Sequence, residues 1–79
     1  MKVRVYVTLK DEVLDPQGEA VGRALRSLGF EEVRAARVGK VVELDLHTED
    51  PETARRRAAE MAERLLANPV IEDYAVEIP

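Results

Sequence analysis

Val7-Thr8-Leu9-Lys10-Asp11-Glu12-Val13-Leu14-Asp15-Pro16-Gln17-Gly18 closes a strand, crosses a short loop and opens a helix. Upstream, Lys2 to Leu9 alternates strictly. Val3, Val5, Val7 and Leu9 fall on one side, and Lys2, Arg4, Tyr6 and Thr8 on the other. That period of two, with β-branched residues, is a half-buried strand. Asp15 is placed to cap a helix by accepting a hydrogen bond from a free backbone N–H. Pro16 takes the first helical position, where its missing N–H costs nothing. Val21, Ala24, Leu25 and Leu28 then recur at helical spacing. Gly29 suits the left-handed position after the last turn, with Phe30 folding back on it. The spacing predicts a helix over 16–28.

Val33 to Val38 reads as a second strand, weakened by Ala35-Ala36. Gly39-Lys40 reads as a two-residue type II′ hairpin turn. Val42, Leu44 and Leu46 alternate with Glu43, Asp45 and His47 as a third strand. Asp50-Pro51 repeats the Asp15-Pro16 device, and a second helix runs from Pro51 to about Ala67, stopped by Asn68-Pro69. Its solvated face carries Arg55-Arg56-Arg57. Glu52 with Arg56 and Glu60 with Arg64 stand at ion-pairing spacing. Ile71 to Ile78 is the last strand. The expected architecture is α+β: one domain over 1–79 in the order βαββαβ, an antiparallel sheet with two helices on one face.

Composition narrows the function. In a chain of 79 residues there is no Cys and one His, so disulfides, thiolate metal sites and multi-histidine sites are excluded. A domain this small has a marginal core, and association with other chains is the remaining means of support. The net charge of −4 opposes nucleic-acid binding, and the expected sheet lacks the stacking aromatics of an RNA reader. No apolar run approaches the ~20 residues of a membrane span. Met1-Lys2-Val3-Arg4-Val5 lacks the continuous apolar core of a signal peptide. The expected location is the cytoplasm.

Candidate chemistry is sparse. His47 is a conceivable general base, but no nucleophile is placed for it, and it reads as solvent-exposed. Asp11, Glu12 and Asp15 could be taken for a Mg²⁺ cluster, yet they lack a regular ligand ladder and Asp15 has a capping role. Gly18 and Gly22 inside a helix signal close packing, within the chain or across an interface. Arg55-Arg56-Arg57 reads as a solvated face. Tyr6 and Tyr74 read as interface anchors or core edges.

The pieces VTLK at 7–10, LDPQG at 14–18, ALRSLGF at 24–30, VRAARVGK at 33–40 and LLANPVIEDYAVE at 65–77 together resemble the PurS family. That family is the small subunit of bacterial and archaeal phosphoribosylformylglycinamidine (FGAM) synthase. The resemblance implies the fourth step of de novo purine synthesis, in which formylglycinamide ribonucleotide, glutamine and ATP give FGAM, glutamate, ADP and phosphate. It implies a non-catalytic chain that forms homodimers or tetramers, bridges the glutaminase and large synthetase subunits, and supports ammonia transfer between them. ATP and Mg²⁺ would belong to the synthetase subunit, and no cofactor to this chain. The residues expected to serve assembly are Lys10, Asp15, Pro16, Gln17 and Gly18, the Gly39-Lys40 turn, and the Asn68-Pro69 corner. The competing reading, by analogy of element order, is a ferredoxin-like regulatory domain that binds a small molecule.

Overall fold

Three strands and two helices account for the regular structure in a computed structural model that describes all residues, Met1–Pro79. Strand β1 (Lys2–Leu9) lies between β2 (Lys40–Asp45) and β3 (Glu72–Glu77), antiparallel to both. Val5 faces Val42 on one side and Val76 on the other. The alternation therefore sends Val3, Val5, Val7, Val42, Leu44, Tyr74 and Val76 to one face. Arg4, Tyr6 and Thr8 go to the other, where Arg4 pairs with Glu43 at 3.2 Å and Glu77 at 3.5 Å.

Helix α2 (Pro51–Met61) covers the apolar face, laying Ala54 and Ala58, with Ala62 beyond its end, among the wholly buried Val3, Val5 and Val7. Small side chains on the helix let it sit close to the β-branched row. The helix closes on a π-turn, Ala62–Leu66, rather than continuing to Ala67. The Ala67 N–H donates to Ala62 O at 2.9 Å, an i→i+5 step. That wider turn keeps both Ala62 and Ala67 buried while Leu65 points out. Asp50 caps α2 as expected. Neither expected Glu–Arg pair forms; Arg57 instead meets Glu60 at 3.0 Å.

Helix α1 (Pro16–Ser27) is the departure from the expected layering. It does not join α2 on the sheet but projects with residues 30–38 as an arm. Its end is as expected: Gly29 has φ 102°, with Phe30 N–H donating to Leu25 O and Gly29 N–H to Arg26 O. Its apolar residues find little cover: Leu28 is 74% exposed, Phe30 50% and Val21 43%. The molecule measures 46 × 25 × 14 Å with a radius of gyration of 15.6 Å, against roughly 12 Å for a compact domain of this length.

The α+β class and the antiparallel sheet stand, while Val33–Val38 occupies the place of the expected second strand without pairing to any strand of its own chain. The backbone N–H groups of residues 34–37 find no acceptor within the chain. A hairpin across Gly39-Lys40 is therefore absent, and Gly39 is not left-handed. The reason for glycine there is proximity: a Cβ would stand 2.7 Å from Val7 O. The expected third strand is β2, begun two residues earlier by that approach.

Candidate functional site

Antiparallel pairing on both sides of β1 brings three separate stretches to one end of the sheet. Val7 faces Lys40, and Leu9 faces Glu72. The loop from Lys10, the start of β2 and the Asn68-Pro69 corner before β3 are thus neighbours.

Asp15 is the pivot. Its carboxylate is 95% buried, yet neither oxygen is idle. Oδ1 accepts the Gly18 N–H at 2.9 Å, which is the cap, and Oδ2 accepts the Val38 N–H at 2.8 Å. The second bond ties α1 to the segment leading into β2. These two backbone donors, Gly18 first, hold the Asp15 carboxyl below its ordinary range against the opposing effect of burial; Arg37 assists from 4.0 Å. Asp11 and Glu12 stay exposed, and no three His, Cys, Asp or Glu side chains are grouped so as to hold a metal ion.

Arg37 completes the junction. Its guanidinium donates to Val13 O at 3.3 Å, Lys10 O at 2.9 Å and Leu9 O at 3.4 Å. One side chain thereby gathers the carbonyls of a loop that has few partners of its own. Nothing in the sequence marks Arg37 apart from its neighbours Arg34 and Lys40. Ala36 was equally silent, although its carbonyl is what requires glycine at 18: a Cβ there would lie 2.3 Å from Ala36 O. Gly18 therefore serves the fold. Gly22 leaves room, with Ala36 Cβ at 3.7 Å from its would-be Cβ.

The other expected residues divide between structure and exposure. Lys10 is committed, with Nζ 2.7 Å from Asp73 and its N–H bonded to Ile71 O. Its ammonium is held above the ordinary lysine value by Asp73. Asn68 shapes the corner: its Oδ1 accepts the Val70 N–H and its carbonyl the Glu72 N–H, while its own N–H donates to Glu72 Oε1 at 2.7 Å. Pro16, Gln17, Lys40 and Pro69 are exposed, and neither the Gln17 amide nor the Lys40 ammonium has a partner. Val7, Leu9, Gln17, Val38, Lys40 and Glu72 border a shallow cleft of about 250 Å³. His47 is exposed, and no Ser, Thr or Tyr hydroxyl is hydrogen-bonded to it. The site offers surface, an amide and a cation, without a nucleophile–base pair.

Asp15→Asn tests the junction. Asn retains one acceptor but turns an N–H₂ toward one of the two N–H donors. The sign follows from a folded-state pKa below the unfolded one. Asp15 contributes stability that is complete above about pH 4 and is lost as the pH falls through the lowered folded value. Denaturant titrations at several pH values should find the variant weaker at pH 7, with the gap closing in acid. A pH-independent gap would assign the loss to shape alone.

The PurS family model, described as phosphoribosylformylglycinamidine (FGAM) synthase, matches residues 2–79. The chain is 51% identical over 77 residues to the FGAM synthase subunit PurS of Bacillus subtilis, covering 98% of this chain and 90% of that one. It is 49% identical over 72 residues to the Archaeoglobus fulgidus subunit, covering 91% and 90%. Among solved structures, Methanocaldococcus jannaschii PurS is similar with a TM-score of 0.86 at 38% identity over 96% of this chain and 92% of that one. A chain in the PurLQS structure from Thermotoga maritima is similar with a TM-score of 0.87 at 36% identity, covering 96% and 93%.

Proposed function

This chain belongs to the PurS family, and from that premise we propose that it is an accessory subunit of an FGAM synthase. In this reading it joins the glutaminase subunit to the large synthetase subunit and supports passage of ammonia between them. The chemistry stays with those partners: glutamine is hydrolysed on one, and ATP and Mg²⁺ are bound by the other. The observation that carries the reading is similarity along nearly the whole chain to proteins named as PurS subunits. What the geometry adds is that the Gln17 amide and the Lys40 ammonium at the end of the sheet are exposed and available to a partner. The work of such a subunit belongs in the cytoplasm with its soluble substrates; no helix is long and apolar enough to cross a membrane.

Self-association is part of the proposal. The chain exposes 5938 Å², where a folded monomer of its mass exposes roughly 4,800 Å². The excess, about 1,100 Å² by that scaling, is more than the ~800 Å² that each partner buries in a standard interface. The projecting arm leaves Val21, Leu28 and Phe30 exposed, and the unpaired backbone of 34–37 is a template for strand addition. We assign this surface to a second copy.

Reconstitution tests the role. With glutaminase and synthetase subunits, the chain should be required for glutamine-dependent turnover and dispensable when ammonia is supplied. Equal glutamine-dependent turnover without it would overturn the reading. Sedimentation as a monomer at micromolar concentration would remove the self-association part alone.

A further inference from the structure

Arg55-Arg56-Arg57 has no role in the fold or in the end-of-sheet site. The structure places part of this run in a cleft between the end of β2 and α2, of about 450 Å³, bordered by Leu46, His47, Thr48, Arg56, Arg57 and Met61. The chain is acidic overall, yet no carboxylate borders this cleft. Asp50 stands beside it: its Oδ2 accepts from both the N–H and the hydroxyl of Thr53, which also borders the cleft, at 3.2 and 2.6 Å, and those bonds, with the Arg56 charge assisting, hold its carboxyl below the ordinary value.

The groups that remain are donors. Arg56 makes no ion pair or side-chain hydrogen bond in the structure. Arg57 commits one nitrogen to Glu60, and both side chains of that pair are more than 40% exposed, so the pair is weak. Thr48 Oγ1 accepts the Asp50 N–H at 3.2 Å, which leaves its own proton to donate. Two guanidinium forks and a hydroxyl match an anion with several oxygens better than a single-plane carboxylate does. Leu46 and Met61, both half-buried, supply apolar wall. The volume exceeds that of a bare phosphate ion and leaves room for a small organic body.

We propose that the cleft formed by His47, Thr48, Arg56 and Arg57 binds a small phosphate monoester, its phosphate held by the two guanidinium groups and the Thr48 hydroxyl. This site is separate from the end-of-sheet surface and does not depend on the accessory role. The test is a ¹H–¹⁵N titration of the full chain with glucose 6-phosphate, and with glucose and inorganic phosphate as comparators, at about 0.15 M salt where exposed charges are screened. Saturable shifts confined to residues 46–48 and 53–57 are expected with glucose 6-phosphate, weaker ones with inorganic phosphate and none with glucose. Arg56→Gln should weaken binding about tenfold, the loss of a hydrogen bond to a charged group, while Arg23→Gln on α1 leaves it unchanged. Both side chains are exposed, so folding is retained, and unperturbed shifts elsewhere confirm that. Non-saturating shifts, or equal losses in the two variants, would overturn the site and reduce the cluster to a solvated face.

Discussion

Gly18→Ala should lower the stability of the chain by about 3 kcal/mol, within the upper part of the range for overpacking, and the midpoint temperature by roughly 12–24 °C. Two effects compete. Alanine in a helix gains about 1 kcal/mol over glycine. Against that, the new Cβ would stand 2.3 Å from Ala36 O and 2.6 Å from Asp15 Oδ2. The carbonyl is backbone and cannot rotate aside; the carboxylate is held by Gly18 and Val38. The clash wins, and relieving it separates α1 from the 33–38 segment. Gly22→Ala in the same scaffold is the control. Its Cβ meets the end of the Arg26 side chain at 3.3 Å and Ala36 Cβ and N at the ordinary contact distances of 3.7 and 3.8 Å, so most of the helix gain of about 1 kcal/mol should survive. Thermal unfolding of both variants decides the matter: stabilisation by each would mean that α1 does not need its contact with residue 36.

Ala58→Leu should cost about 2–3 kcal/mol by overpacking and roughly 10–20 °C in midpoint. Ala58 is wholly buried among Val3, Val5 and Val7, which are themselves 0–1% exposed. Three extra carbons can enter only by lifting α2 from the sheet. A chain of this size has a total of about 4–12 kcal/mol to lose. Leu65→Ser, at a side chain 83% exposed, should stay within about 0.5 kcal/mol. Denaturant unfolding compares the two, and an unaffected Ala58→Leu chain would show that the α2–sheet packing is looser than its burial implies.

The strands and helix starts were legible because each rests on local chemistry. Lys2–Leu9 carries its own alternation, and Asp15-Pro16 and Asp50-Pro51 carry their own caps. The arm was not, because an apolar stripe such as Val21, Leu25 and Leu28 says only that cover is needed, not what supplies it. Val33–Val38 misled for the same reason: its residues suit a strand, but a ladder needs a partner, and none is available within one chain. At the end of the sheet, the residues expected to serve assembly turn out to be neighbours through the pairing of β1 with β2 and β3, which the sequence did not show. Among the fixed residues, Asp15 and Lys10 are set by contacts across 20 or more residues of chain, with Val38 and Asp73, and Gly18 by Ala36, whereas Asn68 is set locally; Gln17 and Lys40 stay free.

The arm gives the chain two tiers of cooperativity. The sheet and α2 share one buried core, whereas α1 is joined to them through backbone and the bonds of Asp15 and Arg37. Few buried apolar contacts mean a low free energy of local opening. The arm can therefore fray and re-form while β1 stays hydrogen-bonded on both edges, so its amides exchange with solvent long before those of the sheet. A second copy covering the arm, as proposed, would raise that lower tier and leave the sheet unchanged.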